Sequence, residues 1–125
     1  MEVISIDTSV LLDYYRAKNK QSTMLYRLSF NYQFTVPTIV IYEVLRGDKK
    51  KDAFWKTFFS ETRILPFDER SASEAAGVYK HLTSQNQMIG TNDILIAGVT
   101  LANQLRLATI NRKDFVRIPE VLLVD

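Results

Sequence analysis

Short apolar runs rich in β-branched residues alternate along this chain with longer stretches whose apolar residues recur at helical spacing. Val3-Ile4-Ser5-Ile6 is the first such run and predicts a buried strand over residues 3–6. Thr8 or Ser9 then offers an N-cap for a helix reaching to about residue 17. Leu25, Leu28 and Tyr32 fall near helical spacing and predict a second helix over residues 22–31. Phe34-Thr35-Val36 predicts a second strand stopped by Pro37. Thr38 is the expected N-cap of a helix over 39–46, with Gly47 as a natural C′ residue. Residues 48–60 are expected to be helical, with Ala53, Phe54, Trp55 and Phe58 on the apolar side. Residues 63–66 predict a third strand and 68–84 an amphipathic helix. Residues 92–103 predict a helix apolar on nearly every side, hence buried. Further strands are expected at 107–110 and 121–124.

Strands alternating with helices imply an α/β sandwich around a mostly parallel sheet. A chain of 125 residues without repeats or linkers is one domain's length. In such sheets, sites form beyond the carboxyl ends of the strands, where strand order reverses. Polar residues just after strands and at helix starts therefore carry the most information.

Three carboxylates occupy such positions, and a fourth, Glu43, lies within the expected helix over 39–46. Asp7 directly follows the first strand, where an N-cap or Asx turn is the ordinary explanation. Asp114 lies a short distance past the fourth strand, where a loop acid paired with Arg112 or Lys113 is the ordinary explanation. Asp93 opens the buried helix, where an acid complements the helix dipole. Ala97, Gly98 and Ala102 are small enough to let that helix pack closely and pin its first turn. Glu43 has the weakest ordinary explanation. It sits in Val40-Ile41-Tyr42-Glu43-Val44-Leu45, apolar apart from a tyrosine hydroxyl. Glutamate is almost never buried unpaired, so Glu43 faces either a narrow solvent stripe or a compensating charge.

Gathering the four has a cost. Two carboxylates ~6 Å apart at an effective dielectric of ~20 repel by about 3 kcal/mol. Six such pairs repel by on the order of 10–20 kcal/mol, comparable to the stability of a whole domain. Protons or cations must offset this. The chain has no cysteine and one histidine, His81, so thiolate and polyhistidine sites are excluded, as are disulfides and a cysteine nucleophile. Oxygen donors alone suit Mg²⁺ or Mn²⁺. Such ions bind phosphate oxygens and activate water, which points to phosphodiester hydrolysis. Net charge is only +2. With the four acids set aside, 16 basic side chains face ten acidic ones, a balance that suits a polyanion. The N-terminus lacks a basic signal region, and no run approaches the ~18 apolar residues of a membrane span, so no membrane association and a cytoplasmic location are expected.

Four local patterns together resemble the PIN-domain endoribonucleases of the VapC toxin type. They are Ile6-Asp7-Thr8-Ser9 with Leu12-Asp13, Tyr42 to Gly47, Ile89 to Ala97, and Thr109 to Phe115. Their order and spacing span nearly the whole chain, as a single PIN domain over residues 1–125. The resemblance implies a three-layer α/β/α sandwich with a five-stranded sheet of order 3-2-1-4-5. It implies RNA cleavage by a water activated on Mg²⁺ or Mn²⁺, homodimerisation, and a cognate antitoxin protein. It also implies Asp7, Glu43 and Asp93 as catalytic metal ligands, with Asp114 completing the ring. Ser9 and Asn111 match family positions that orient ligands or phosphate. Gly98 stands where alanine is common, and Ile110 where a polar residue is frequent.

Other readings compete. A dehalogenase-type phosphatase needs a second aspartate two residues after the first, and that position holds Ser9. A receiver domain needs a paired acid and a late lysine that the chain lacks. A non-catalytic PIN module that binds RNA or a partner is expected to have lost an acid, and none is missing. Arg112, Lys113 and Arg117 flank Asp114 and are the expected RNA contacts. The run Asp48-Lys49-Lys50-Lys51-Asp52 reads as a solvated helix start with phosphate contact as its functional alternative. His81 reads as a surface residue, and the aromatic residues Phe54, Trp55, Phe58 and Phe59 as part core, part docking surface.

Overall fold

Apolar runs become the strands of one parallel sheet, and β1 (Glu2–Ile6) lies at its centre. The computed structural model describes residues 1–51 and 53–125. After β1 come α1 (Thr8–Arg16), a 3₁₀ turn over Lys20–Ser22, α2 (Met24–Ser29) and β2 (Tyr32–Pro37). They are followed by α3 (Thr38–Gly47), α4 (Ala53–Ser60), β3 (Arg63–Leu65) and α5 (Glu69–Ser84). The chain closes with α6 (Thr91–Ala102), β4 (Arg106–Ala108) and the single turn α7 (Arg112–Phe115).

Strand order is β3-β2-β1-β4, and every pairing is parallel. Ile4 pairs with Phe34 on one side and Arg106 on the other. Parallel crossovers are right-handed. The β1-to-β2 and β2-to-β3 connections therefore lie on one face. The connection from β3 back to β4 runs the opposite way and places α5 and α6 on the other face. The expected three layers follow. The direction of winding reverses between β1 and β4, which makes their carboxyl ends the switch point.

The fifth strand expected at 121–124 is reduced to one parallel bridge, Leu107 to Leu123. Leu107 N–H donates to Leu122 O and Val124 N–H donates to Leu107 O, both at 2.9 Å. Because β4 has three residues, Leu107 alone turns its backbone groups outward, and both are used. Burial of Val121 and Val124 holds the segment in place.

Helix starts differ from expectation for local reasons. Asp7, not Thr8 or Ser9, caps α1, accepting from Thr8 N–H at 2.8 Å. Thr23 caps α2, accepting from Tyr26 N–H at 3.3 Å, so that helix is shorter than residues 22–31. Pro37 takes the cap position of α3 with no side-chain bond, and Thr38 lies inside the helix. The Thr38 hydroxyl instead accepts from Phe67 N–H at 3.3 Å, tying down the turn after β3. The helix expected from residue 48 begins at Ala53, because Lys51 has φ 51° and interrupts any helix there. Asp52, in that expected stretch, lies outside the described residues.

One apolar core joins Ile4, Ile6, Val36 and Leu107 of the sheet to Val10, Val40 and Val44 and to Leu82, Ile96 and Ala97. Polar groups inside it are paired: Thr100 Oγ1 donates to Ser5 Oγ at 3.1 Å and Thr35 Oγ1 to Ile4 O at 2.8 Å. Gly98 lets α6 approach α5 closely. A Cβ there would stand 2.7 Å from both Ser71 O and the Ala75 Cβ. No helix among the described residues is long and apolar enough to cross a membrane.

Candidate active site

The site grows from the carboxyl ends of β1 and β4. Asp7 is the first residue past β1, and its N–H donates to Ala108 O at 3.0 Å, so the sheet ladder itself fixes its backbone. Its side chain is 3% exposed. Asp7 Oδ1 accepts from Thr8 N–H at 2.8 Å. Asp7 Oδ2 accepts from the Ser9 hydroxyl at 2.8 Å and the Thr109 hydroxyl at 2.7 Å. A carboxylate has about four lone-pair positions, so a fourth remains on Oδ1.

These donors are themselves held. Ile110 N–H donates to Ser9 Oγ at 3.0 Å, and Asn111 N–H donates to Thr109 Oγ1 at 2.9 Å. The exposed Ile110 side chain therefore leaves the site undisturbed, since only its backbone takes part. Ser9 and Asn111, both expected as supporting residues, lie in the network.

Glu43 projects from α3 beside the buried Val40 and Val44, and its side chain keeps 17% of its exposure. Its charge is compensated by neighbours. The Thr8 hydroxyl donates to Oε1 at 2.6 Å, and Asn92 Nδ2 donates to Oε2 at 3.3 Å. Arg46 stands one turn along at 3.8 Å, a distant ion pair. Asp93 sits in the first turn of α6 and Asp114 in α7 rather than in a loop. Asn111 Nδ2 donates to Asp114 Oδ2 at 2.8 Å and reaches Asp93 Oδ2 at 3.5 Å. Asp114 thus takes its hydrogen bond from Asn111, not from Arg112 or Lys113.

Electrostatics join the four acids. Burial, followed by the charges of Asp7, Glu43 and Asp114, pushes the Asp93 carboxyl up to about 6. Burial also raises Asp7, against the pull of its three hydrogen bonds. Only oxygen donors carry charge here. Among the described residues, no three acids stand close enough together to hold a metal ion between them. Mg²⁺ needs only one or two carboxylates beside its own waters, so a pair of these acids would suffice.

Thr8, Asn92 and Thr109 are the participants that sequence reasoning missed; Thr8 figures there only as a helix cap. All three lie within the quoted motifs, beside residues that were singled out. The expected RNA contacts are only partly available. The Arg112 guanidinium donates to Val124 O at 2.9 Å and that of Arg117 to Met88 O at 3.1 Å, while Lys113 is exposed. Trp55 is core; Phe54 and Phe58 are half-buried and, with Tyr14, Leu25 and Phe34, line an apolar groove of ≈ 180 Å³. His81 lies on α5, away from the site's hydrogen bonds.

The family model of the PIN domain matches residues 4–121 of this chain. The chain belongs to the PIN-domain family. Within it, the chain is 32% identical to Ribonuclease VapC of Rickettsia bellii, over 93% of this chain and 90% of that one. It is 34% identical to Ribonuclease VapC1 of Rickettsia felis, over 96% and 95%. The PIN fold is shared with the solved VapBC2 complex of Rickettsia felis bound to promoter DNA. The TM-score is 0.81 at 25% identity, covering 98% of this chain and 97% of that one.

Proposed function

We propose that this VapC-family protein is an endoribonuclease that hydrolyses RNA phosphodiester bonds and serves as the toxin of a toxin–antitoxin pair. One observation carries the reading: at the switch point of the sheet, burial and then the charges of Asp7, Glu43 and Asp114 raise the Asp93 carboxyl. A fold does not hold such a group for stability, because repulsion among the charges opposes folding. It fits a site completed by Mg²⁺ or Mn²⁺, with Asp7, Glu43 and Asp93 as ligands and Asp114 joining through water. The bound ion supplies neutralisation of the phosphate and activation of water.

The chain's own residues do the rest. Ser9 and Thr109 hold Asp7 Oδ2, leaving Oδ1 directed to the site. Thr8 and Asn92 hold Glu43. Asn111 keeps Asp93 and Asp114 together and offers an amide N–H to a phosphate oxygen when either acid is engaged elsewhere. The apolar groove along Phe54 and Phe58 is suited to an antitoxin segment, and a homodimer is part of the same reading.

The test is cleavage of RNA by the purified protein with Mg²⁺, with chelator, and with Asp7→Asn. Asparagine still caps a helix, so the variant is expected to fold and not to cleave. Cleavage by the folded variant at the unaltered rate would remove the assignment.

A further inference from the structure

An acidic ring repels RNA, so cations must bring the strand to it. Most cations around this ring are already committed. Arg46 faces Glu43 and lies over the Tyr42 ring, and Arg112 and Arg117 bind backbone carbonyls. A cleft of ≈ 240 Å³ opens at the Glu43 edge, and Arg16, Lys49 and Lys50 line it. Arg16 ends α1; the two lysines lie in the connection from α3 to α4. All three are exposed, and none of their side chains makes an ion pair or hydrogen bond among the described residues. Asp48 also lines the cleft, leaving the cations in excess once Glu43 is neutralised. Tyr15 and Trp55, 4.9 Å apart, give it a rigid wall.

Arg16 also borders a second hollow of ≈ 600 Å³, which Ser9 and Ile110 line. The two hollows flank α1 and reach the ring at Glu43 and at Ser9. Leu12 and Arg16 border both, so a strand laid from one into the other passes Arg16.

We propose that this cleft is the phosphate-backbone subsite for the RNA strand beside the cleaved bond, with Arg16, Lys49 and Lys50 as its contacts and Arg16 as a positioning residue. The proposal rests on the ribonuclease reading. It commits to a single-stranded polyanion, because three uncommitted cations along an open cleft match successive phosphates rather than one anion.

The experiment measures binding of a fluorescently labelled single-stranded RNA to the full chain in chelator, where nothing is cut, over a salt series. Each phosphate contact contributes ~0.7 to the slope of log K against log salt. The R16A/K49A/K50A variant is expected to lose about 2 from that slope, and R16K/K49R/K50R to keep it, both with unchanged melting curves. In Mg²⁺, the alanine variant should raise KM for RNA more than it lowers kcat. An unchanged slope in the alanine variant overturns the subsite while leaving the ribonuclease reading intact, and assigns the cleft to a protein partner instead. Slope loss in the alanine variant, alongside a wild type that never cleaves RNA in Mg²⁺, upholds the subsite and overturns the ribonuclease reading. Absence of RNA binding by the wild type overturns both.

Discussion

The Thr8 hydroxyl donates to Glu43 Oε1 at 2.6 Å, while Thr8 N–H donates to Asp7 Oδ1 at 2.8 Å. One residue thus ties the acid of the central strand to the acid of α3. A hydrogen bond to a charged group contributes about 1.5–3 kcal/mol. Thr8→Val keeps the shape and removes the donor. It is expected to lower stability by about 1–2 kcal/mol and to cut RNA cleavage, because Glu43 is released toward Arg46. Thr8→Ser should restore both. Denaturant midpoints and cleavage rates check this; a fully active Thr8→Val would show that Glu43 needs no such tether.

The elevated Asp93 carboxyl makes stability depend on pH. Its ordinary value is 3.8 and its folded value about 6, so between these the native state binds more protons than the unfolded state. The contribution is therefore complete below about 3.8 and is lost as pH rises through about 6. Asp7, raised by burial, acts in the same direction. Solvent reaches Asp93 and screens part of the effect, so Asp93→Asn should stabilise the metal-free protein at pH 7 by about 1 kcal/mol and flatten this pH dependence. Midpoints in chelator from pH 4 to pH 7 provide the measurement, and an Asp93→Asn protein no more stable than wild type at pH 7 would contradict it.

A divalent ion should reverse that trend. Binding only to the native ring, Mg²⁺ at tenfold its dissociation constant adds about 1.4 kcal/mol. For a chain of this length that is about 5 °C in Tm. The gain should fade on acidification, as protons compete for Asp93, and should be absent in Asp7→Asn. A melting curve indifferent to millimolar Mg²⁺ and Mn²⁺ at neutral pH would count against the metal site.

Gly98→Ala should destabilise the protein by about 1–3 kcal/mol, although alanine is the better helix former. The new methyl would meet Ser71 O and the Ala75 Cβ, each at 2.7 Å. Adding Ala75→Gly removes one of these contacts and leaves the backbone oxygen, so the double variant should recover only part of the loss. Thermal melts of the two variants decide the matter, and an unaltered Gly98→Ala would show that α5 and α6 separate freely.

Much of the fold was legible because period-2 and period-3.6 patterns are local properties of the chain. The elements expected over residues 3–6, 63–66 and 68–84 needed nothing beyond them and are observed to within a residue at each end. Element ends were less legible where two residues compete. Asp7 and Thr8 can each cap α1, and the ladder bond from Asp7 N–H to Ala108 O favours Asp7. The fifth strand shrank to a bridge because β4 offers only Leu107 on its outer edge. Its length depends on a neighbour some fifteen residues away, not on the apolar run Val121-Leu122-Leu123-Val124.

The sequence by itself determined the oxygen-only chemistry, since it has no cysteine and one histidine, and it placed the acids after strands and in first turns. It also made Glu43 conspicuous among apolar neighbours. Only the tertiary structure decided what holds those acids. Thr8 reaches Glu43 across 35 positions, Asn92 reaches it across 49, and Thr109 reaches Asp7 across 102. Such partners depend on which strands are adjacent and in what register, because the helices and turns that carry these side chains start from strand ends. For the same reason, the cations free to meet a phosphate became visible only when Arg112 and Arg117 were found bound to carbonyls and Arg16, Lys49 and Lys50 were not.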